Sequence, residues 1–282
     1  MKVLVTGAKG MLGQDLCPIF EDAGMFVIET DVENLDITDF KAAENFITNT
    51  KPQIIVHLAA YTNVDGAETG REKADLINHK AAENLARISK KTGAILIYVS
   101  TDYVFDGTKT EPYLPNDPVN PLSVYGKTKA LGETAVIENA EKYYIARTSW
   151  LYGINGKNFI ETMLKLGKAG KEIKVVNDQT GSPTYTVDLA LGILKLLNKP
   201  FGIYHISGEG ETTWYDFANE IFTQEDIKAD LAPVSTEEYT KGQNKVVAIR
   251  PKYSTLQNSV PMRHWKEALQ SYLEYRKSLQ AE

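Results

Sequence analysis

Cysteine is almost absent from this chain of 282 residues, in which Cys17 is the single example. One thiol cannot form an intramolecular disulfide, so packing and hydrogen bonds have to hold the fold, as is usual in a reducing compartment. Histidine is also scarce, and its four copies are scattered without the His-Glu-x-x-His spacing of a zinc site. The sequence therefore predicts neither a disulfide framework nor a metal site.

The chain also lacks an excess of basic residues and any long apolar run. Its 31 Lys and Arg are outnumbered by 37 Asp and Glu, which argues against a nucleic-acid partner because such proteins present a basic face. Apolar runs such as 94–99 are too short to cross a bilayer. Met1 leads directly into a strand pattern rather than a signal peptide. We therefore expect a cytoplasmic protein with no membrane and no nucleic-acid partner.

What the chain does contain is a regular alternation of two kinds of segment. Short β-branched runs predict strands, and segments with apolar residues at helical spacing predict helices. The predicted strands are Lys2–Thr6, Phe26–Thr30, 54–60, 94–100, 144–148, 174–176 and 203–206, and the predicted helices are 11–23, 72–92, 123–140, 187–197, 213–222 and 261–279. This order predicts an α/β fold with a doubly wound parallel sheet of the Rossmann type.

The alternation becomes irregular after about Trp150. We expect a dinucleotide-binding domain formed by 1–150 and 172–206. A smaller C-terminal α/β lobe, formed by 151–171 and 207–282, is expected to bind the substrate.

A glycine-rich turn joins the first predicted strand to the first predicted helix. The residues VTGAKGMLG at 5–13 have a G-x-x-G-x-x-G spacing. Glycine at a strand-to-helix junction allows a tight turn and lets a pyrophosphate approach the helix N-terminus. A tight turn without a ligand is the alternative, which the junction context disfavours. The predicted cofactor contacts in this turn are Gly7, Lys9, Gly10, Met11, Leu12 and Gly13.

Two opposing charges leave the form of the cofactor open. Asp31 ends the second strand, where an acidic side chain bonds the ribose 2′-hydroxyl of NAD. Lys9 can instead attract the 2′-phosphate of NADP. We therefore predict NADH or NADPH as cofactor. Further predicted contacts are Asp36, Ile37, Ala59, Ala60 and Tyr61.

Tyr125 and Lys129 are four residues apart in a predicted helix, so both side chains lie on one helix face. An ammonium group beside a phenol lowers the phenol pKa, and such a phenol can exchange a proton with a carbonyl or alcohol oxygen. Most pairs with this spacing are solvated helix faces. The glycine turn, together with Ser100 and Thr101 at the end of a strand, favours the catalytic interpretation.

As a set, these residues resemble an extended short-chain dehydrogenase/reductase over the whole chain. The resemblance implies that Tyr125 donates a proton to a substrate carbonyl. It implies that Lys129 holds the nicotinamide ribose and depresses the phenol pKa, and that Thr101 or Ser100 hydrogen-bonds the reacting oxygen. Ser100, Tyr125 and Lys129 are thereby placed at the cofactor, which carries the hydride.

Longer strings are similar to those of dTDP-4-dehydrorhamnose reductases. HLAAYTNVDGAE at 57–68 resembles that family's AAxTxVDxAE segment, and STDYVFDG at 100–107 resembles its STDYVFDG segment. Shorter runs at 147–150, 177–184, 213–215 and 250–251 fall where the family has similar ones. The resemblance implies reduction of the C4 ketone of a dTDP-bound 4-keto-6-deoxy-L-sugar.

The resemblance also implies a sugar site, and each member has a structural alternative. Trp150 can be a core residue at the domain junction, Asp65 a helix cap, and Tyr103 a packing residue. Arg250 is the candidate for the substrate diphosphate because a guanidinium fork fits phosphate oxygens, with a surface ion pair as its alternative. The predicted substrate contacts are Val64, Asp65, Thr101, Tyr103, Trp150 and Arg250.

Two local departures refine this resemblance. Related sugar nucleotide dehydratases carry a glutamate where Tyr103 stands, so reduction is favoured over elimination of water. Some reductases hold Mg²⁺ at a dimer interface through acidic side chains. Asp15 occupies one such place, but Thr186 and Val187 stand near the others, although Asp188 is close by. This departure argues against magnesium and leaves a homodimer open.

Two alternative functions remain. One is reduction of another nucleotide-linked 4-keto-6-deoxyhexose, since pocket shape decides which epimer fits. The other is a non-catalytic NADP-binding subunit that resembles the regulatory subunit of methionine adenosyltransferase. Retention of Thr101, Tyr125, Lys129 and Trp150 together favours an enzyme.

Overall fold

A six-stranded parallel sheet forms the centre of the computed structural model, which describes residues 1–241 and 246–281. The strands are, in chain order, β1 (Lys2–Thr6), β2 (Phe26–Thr30), β3 (Ile54–His57), β4 (Ile95–Thr101), β5 (Tyr143–Thr148), β6 (Leu151–Tyr152), β7 (Ile173–Val176), β8 (Thr180–Gly181), β9 (Thr184–Tyr185), β10 (Gly202–His205), β11 (Thr212–Thr213) and β12 (Leu231–Val234). The order across the sheet is β2-β1-β3-β4-β5-β10, which confirms the predicted doubly wound fold.

Helices surround this sheet and build the lobe beside it. They are α1 (Met11–Asp22), α2 (Phe40–Thr50), α3 (Val64–Thr69), α4 (Arg71–Asp75), α5 (Ala81–Thr92), α6 (Val124–Asn139), α7 (Phe159–Gly167), α8 (Thr186–Leu196), α9 (Trp214–Gln224), α10 (Thr236–Thr240) and α11 (Trp265–Ala281). A π-helical turn (Leu76–Lys80) joins α4 to α5, and a 3-10 turn (Asp102–Val104) follows β4. Among residues 1–241 and 246–281, no helix combines the length and apolarity that crossing a bilayer demands.

Burial on both faces explains why β1 and β3 are apolar at nearly every position. Val3, Val5 and Ile54 pack on one face of the sheet, beneath α1 and α8. Leu4 and Ile55 pack on the other face, beneath α2, α5 and α6. Successive side chains of a strand point to opposite faces, so a sheet covered on both sides needs a continuous apolar run.

The strand order reverses beside β1. After β1 the chain forms the edge strand β2, and it then returns to β3 on the opposite side of β1. A crevice opens at the carboxyl ends of the strands where such a reversal occurs, and it is the usual ligand site of these sheets. The turn after β1 and the segments after β3 and β4 therefore surround one opening.

A second apolar core lies outside the sheet. It joins α7, α9 and α11 through residues such as Ile160, Phe217 and Tyr272. The predicted strand at 174–176 exists as β7, but it pairs with β12, and Ile173 packs in this second core. We therefore propose that 172–185 belong to the lobe; the rest of the division into two parts stays a prediction.

Four other points of the element prediction needed correction. Helix α2 was not predicted, although Asp39 caps it by accepting from Ala42 N at 2.9 Å. The predicted strand 54–60 ends at His57, and the predicted helix 72–92 is divided by the π-helical turn. Helix α11 begins at Trp265 rather than at 261.

Candidate active site

The turn after β1 packs directly against the end of β3. Gly7 has φ +71°, and a Cβ on it would lie 2.7 Å from Ala59 N, so only glycine fits here. Gly10 follows as the N-cap of α1, and its N–H donates to Gly7 O at 3.0 Å. The close approach brings the first turn of α1, where backbone N–H groups have no partner within a helix, to the crevice. This arrangement fits the diphosphate of a dinucleotide.

A cavity of about 700 Å³ runs from this turn to the end of β4. All the cofactor residues predicted from the sequence line it except Lys9 and Tyr61. The cavity is long enough to connect Asp31 and Asp36 at one end with Tyr125 and Trp150 at the other. The residues present therefore fit a dinucleotide, with the reactive ring at the Tyr125 end.

Charged side chains surround the end of the cavity predicted for the ribose that carries the 2′-hydroxyl or 2′-phosphate. The sequence alone did not show how these charges pair. Lys9 N donates to Asp31 Oδ2 at 3.1 Å, so the carboxylate also fastens the glycine turn. The Lys9 ammonium group forms an exposed ion pair with Glu33, which raises the pKa of Lys9. Glu33 was not predicted, and it would compete with a 2′-phosphate for the same cation.

Helix α6 brings Tyr125 to the end of β4. Ser123 caps the helix by accepting from Gly126 N at 3.1 Å. A Cβ on Gly126 would lie 2.2 Å from Tyr103 O, so this glycine allows the helix to contact the 3-10 turn. The ring of Tyr125 meets that of Tyr103 edge-on, with centroids 5.8 Å apart, and the Thr101 side chain is near enough to lower the pKa of Tyr125. Thr101 and Tyr125 thus converge on one point of the cavity.

Lys129 lies deeper in the same cavity. Its Nζ donates to Val99 O at 2.7 Å and lies 4.0 Å from the centroid of the Tyr98 ring. Burial lowers the pKa of Lys129 to about 7, although the Glu133 carboxylate opposes this shift. The side chain is therefore fixed between β4 and the position predicted for the nicotinamide ribose.

The expected depression of the Tyr125 pKa by Lys129 is wrong. Burial raises the pKa of Tyr125 to about 12, the Thr101 hydrogen bond lowers it in part, and the Asp102 charge raises it. Both shifts have one physical cause, because removal from water disfavours the charged form of either group. The phenol is consequently held in the protonated form that a proton donor requires.

The hydroxyl group of Ser100 belongs to a network behind the cavity. It donates to Glu133 Oε1 at 2.5 Å, and the same carboxylate accepts from Arg147 Nη2 at 2.6 Å. The side chains of Glu133 and Arg147 are only 4% and 3% exposed. Arg147 also donates to Pro115 O at 3.1 Å, which fastens the loop before α6. Ser100 lines the cavity, but its hydroxyl hydrogen is directed into this network.

The predicted substrate residues divide between two places. Trp150 and Thr101 line the large cavity. Asp65 and Arg250 line a second cavity of about 250 Å³ on the lobe side. Tyr103 lies between the two groups, since its hydroxyl interacts with Arg250 while its ring contacts Tyr125.

An ion pair connects α3 with the C-terminal segment at the second cavity. Arg250 Nη2 donates to Asp65 Oδ1 at 2.9 Å, and Ala248 N donates to the same oxygen at 3.1 Å. The guanidinium group is thereby held next to the cavity rather than free in solvent. Val64, the first residue of α3, lines neither cavity.

Two stacked indole rings separate the cavities. The rings of Trp150 and Trp214 are parallel within 5°, with centroids 3.6 Å apart. Phe159 packs on Trp214 at 4.6 Å, and Trp150 has φ +46°, which is unusual for a bulky residue. Trp214 lines the second cavity, so each indole faces one cavity. Trp214 had appeared in the sequence only as part of a similar run, without a predicted role.

Two further residues near the crevice had no role in the sequence-based prediction. Asn78, in the π-helical turn, accepts from Tyr61 N at 2.8 Å and donates to Tyr61 O at 3.2 Å. Tyr61, predicted at the cofactor, is therefore held by its backbone beside the cavity. Asp102 is buried next to Thr101 and lines the large cavity. Asp102 lies within the STDYVFDG string but was given no role there, and Asn78 belongs to no pattern that a single sequence reveals.

Asp15 faces the lobe rather than a cluster of acidic groups. Its carboxylate accepts hydrogen bonds from Thr186 and Asn155. Asp188 pairs with Arg263, Nη2 to Oδ1, at 2.8 Å. Across the described ranges 1–241 and 246–281, no group of three or more His, Cys, Asp or Glu side chains is arranged to hold a metal ion.

Fold and site together define a dinucleotide-dependent oxidoreductase of the extended short-chain dehydrogenase/reductase type. The conclusion rests on the glycine turn, the crevice at the strand reversal, and the convergence of Thr101, Tyr125 and Lys129. The chain belongs to the RmlD substrate binding domain family, whose sequence profile matches residues 1–278.

Individual relatives are similar along nearly the whole chain. The spore coat polysaccharide biosynthesis protein SpsK of Bacillus subtilis is 44% identical, with 98% of each chain covered. A dTDP-4-dehydrorhamnose reductase structure from Clostridium acetobutylicum has a TM-score of 0.94 at 43% identity, covering 98% of this chain and 100% of that one. The reductase of the same name from Bacillus anthracis, in complex with NADP, has a TM-score of 0.92 at 41% identity and covers 97% and 99%.

Proposed function

We propose that this protein reduces the C4 ketone of dTDP-4-dehydro-L-rhamnose to give dTDP-L-rhamnose, using NADH or NADPH. The observation that carries the proposal is the convergence of Thr101, Tyr125 and Lys129 at the end of a cavity that begins at the glycine turn. The names of the similar reductases support the choice of substrate. Reduction of another nucleotide-linked 4-keto-6-deoxyhexose is the nearest alternative.

Tyr125 supplies the proton in this mechanism. When bound, the reduced nicotinamide supplies the hydride to C4 of the ketone. Tyr125 transfers its hydroxyl proton to the keto oxygen, which becomes the alcohol, and Thr101 holds the same oxygen by a hydrogen bond. Lys129, held at the end of β4 by its bond to Val99 O, would orient the nicotinamide ribose.

The nucleotide end of the substrate is assigned to the second cavity. Arg250 lines it with a guanidinium group that Asp65 orients, and such a fork suits diphosphate oxygens. Trp214 and Phe159 provide aromatic surface in the same cavity for a base. A homodimer and a cytoplasmic location remain predictions from the sequence.

The test is a spectrophotometric assay with dTDP-4-dehydro-L-rhamnose and each reduced cofactor. We expect loss of cofactor absorbance with at least one of NADH and NADPH, and formation of dTDP-L-rhamnose by chromatography. Tyr125→Phe should bind the cofactor normally but lose turnover on the order of 10²–10⁴-fold, because it removes only the proton donor. Tyr275→Phe, which alters an exposed tyrosine of α11, is the matched control.

Three outcomes would count against the proposal. Absence of turnover with both cofactors contradicts the reductase activity. Faster turnover of a dTDP-linked 4-keto-6-deoxy-D-sugar contradicts the choice of substrate. Normal turnover by Tyr125→Phe contradicts the assignment of the proton donor.

A further inference from the structure

Gln179 is a buried polar residue in the wall of the second cavity. It is 5% exposed and lies shortly after the end of β7. Apolar side chains that line the same cavity include Met163, Val175 and Trp214. A side-chain amide has two hydrogens to donate and an oxygen that accepts, and buried polar groups of this kind normally have partners. The atoms of Gln179 that lack a partner therefore indicate what it can bind.

Only one hydrogen of the Gln179 amide is used within the protein. Gln179 Nε2 donates to Thr236 Oγ1 at 2.9 Å. Among residues 1–241 and 246–281, neither Oε1 nor the second Nε2 hydrogen of Gln179 has a hydrogen-bond partner. Oε1 is also not sealed from solvent. One acceptor and one donor of this amide are therefore left for a ligand in the cavity.

Asp178 determines which end of the amide faces Thr236. Thr236 Oγ1 donates to Asp178 Oδ1 at 2.5 Å, and Thr236 N donates to Asp178 Oδ1 and Oδ2 at 2.9 Å and 3.0 Å. A carboxylate only accepts, so the single hydroxyl hydrogen of Thr236 is already used. Thr236 can therefore only accept from Gln179, which requires Nε2 rather than Oε1 to face it. The amide cannot reverse without losing this bond.

An aromatic surface accompanies the fixed amide. Thr213 pairs with Thr180 between β11 and β8, so Trp214 and Gln179, which adjoin this pair, are neighbours across the pairing. Both residues line the second cavity. An aromatic ring binds the face of a base by stacking, and an amide binds the edge of a base through one donor and one acceptor. The two side chains together provide what recognition of a base requires.

We propose that Gln179 recognises the base of the nucleotide, with Oε1 accepting from the N3–H of a pyrimidine imide and Nε2 donating to the adjacent ring carbonyl. Asp178 and Thr236 are positioning residues, which act through Gln179 by fixing the direction of its amide. This inference rests on the proposed function, which assigns the nucleotide end of the substrate to the second cavity.

The fixed direction of the amide determines which bases fit. Thymine and uracil have the same imide edge, in which N3 carries a hydrogen and lies between two carbonyl groups. In cytosine N3 carries a lone pair and the neighbouring carbon carries an amino group. Cytosine in the same position would place a lone pair against Oε1 and a hydrogen against Nε2, which disfavours its binding. Gln179 therefore selects imide bases but does not separate thymine from uracil.

The experiment measures the Kd of dTDP, dUDP and dCDP for the full-length protein by isothermal titration in the presence of NADPH. We expect dCDP to bind about tenfold more weakly than dTDP, as for a mismatched amide contact. The Kd of dUDP should lie within about fourfold of that of dTDP, the effect of one methyl group. In Gln179→Leu, dTDP should bind more weakly, and the ratio of the dCDP and dTDP Kd values should approach one. Gln270→Leu makes the same change at an exposed glutamine of α11 and should keep the wild-type ratio.

Variants of Thr236 test the direction of the amide without changing Gln179, and they decide the question if Gln179→Leu does not fold. Thr236→Val removes the hydroxyl group at similar volume, so the amide can reverse and dCDP should gain affinity relative to dTDP. Thr236→Ser keeps the hydroxyl group and should keep the wild-type ratio. A purely structural role of these residues would weaken all three nucleotides together and leave the ratio unchanged.

The outcomes also separate this inference from the proposed function. Absence of ketone reduction by the wild type overturns the proposed function. Reduction accompanied by equal affinity for the three nucleotides, or by binding of dUDP as weak as that of dCDP, overturns the role of Gln179 alone. An unchanged ratio in Gln179→Leu or in Thr236→Val overturns it as well.

Discussion

Lys9 carries a positive charge to the ribose end of the crevice, and Glu33 holds that charge in an ion pair. Asp31 adds a second carboxylate at the same end of β2. A 2′-hydroxyl can donate to these carboxylates, whereas a 2′-phosphate has to displace Glu33 from Lys9. We therefore expect Lys9 and Glu33 to influence which of the two cofactors is preferred.

We predict that Glu33→Gln shifts the preference toward NADPH. Removal of one carboxylate frees Lys9, so kcat/KM for NADPH should rise roughly two- to fivefold relative to NADH, as expected for exposed charges. The measurement is the ratio of kcat/KM for the two cofactors at low ionic strength, repeated at high salt, where the shift should shrink. Lys9→Gln should move the ratio in the opposite direction. An unchanged ratio in both variants would show that this pair does not select the cofactor.

Sequence patterns located the site residues that belong to short linear motifs. Gly7, Thr101, Tyr125 and Lys129 lie in such motifs, and the cavity brings all four together. Partners that are distant in sequence escaped prediction, because nothing local indicates them. Arg250 illustrates this, since its pairing with Asp65 spans 185 residues.

At the scale of elements, the π-helical turn between α4 and α5 holds the loop after β3. Its residue Asn78 contacts both backbone polar groups of Tyr61 and donates to Thr128 Oγ1 at 3.1 Å. Periodic apolar spacing predicted one continuous helix over 72–92. A single π-helical turn is rare and carries no residue signature of its own, so the interruption could not be predicted from the pattern.

We predict that Asn78→Ala destabilises the protein and loosens the loop at Tyr61. Loss of a buried amide that satisfies several partners should lower the free energy of unfolding by about 2–3 kcal/mol. Urea unfolding measures the loss, and cofactor titration should show weaker binding. Asn84→Ala on α5 is the control, because Asn84 makes one exposed hydrogen bond, to Phe40 O at 3.3 Å, and should change the unfolding free energy little. Equal effects of the two variants would contradict the proposal that Asn78 holds the loop at Tyr61.

Helix α2 is the opposite case, because its sequence contains the usual signals of a helix although no helix was predicted there. Asp39 is a typical N-cap, and Ala43 and Ile47 follow at helical spacing. By contrast, β7 pairs with β12, a strand that is distant from it in the sequence. Strands this short give little indication of which strand they pair with. The division of the second half of the chain was therefore the least predictable part of the fold.

At the scale of the whole molecule, the cofactor crevice and the lobe meet at the stack of Trp150 and Trp214. Each indole faces a different cavity, so the stack touches both parts of the proposed substrate site. The sequence placed Trp150 at the site but gave no reason to pair it with Trp214, 64 positions later.

We predict that Trp214→Leu weakens binding of the nucleotide sugar but not of the cofactor. Loss of the aromatic surface and of the support for Trp150 should raise the substrate Kd roughly tenfold. Isothermal titration with dTDP-sugar and, separately, with NADPH measures the two affinities. Phe201→Leu, which changes an exposed aromatic residue that contacts Tyr144, should alter neither. Equal weakening of both ligands would show that the stack merely supports the fold.

The buried pair of Glu133 and Arg147 has a consequence for how this enzyme can change over generations. Glu133 lies on α6 one turn beyond Lys129, and Arg147 lies on β5. Replacing either residue alone leaves its partner as an unpaired buried charge beneath α6. Such a charge lowers the free energy of unfolding by several kcal/mol. The two positions are therefore expected to be inherited as a unit, with viable descendants keeping both charges or exchanging both for neutral residues.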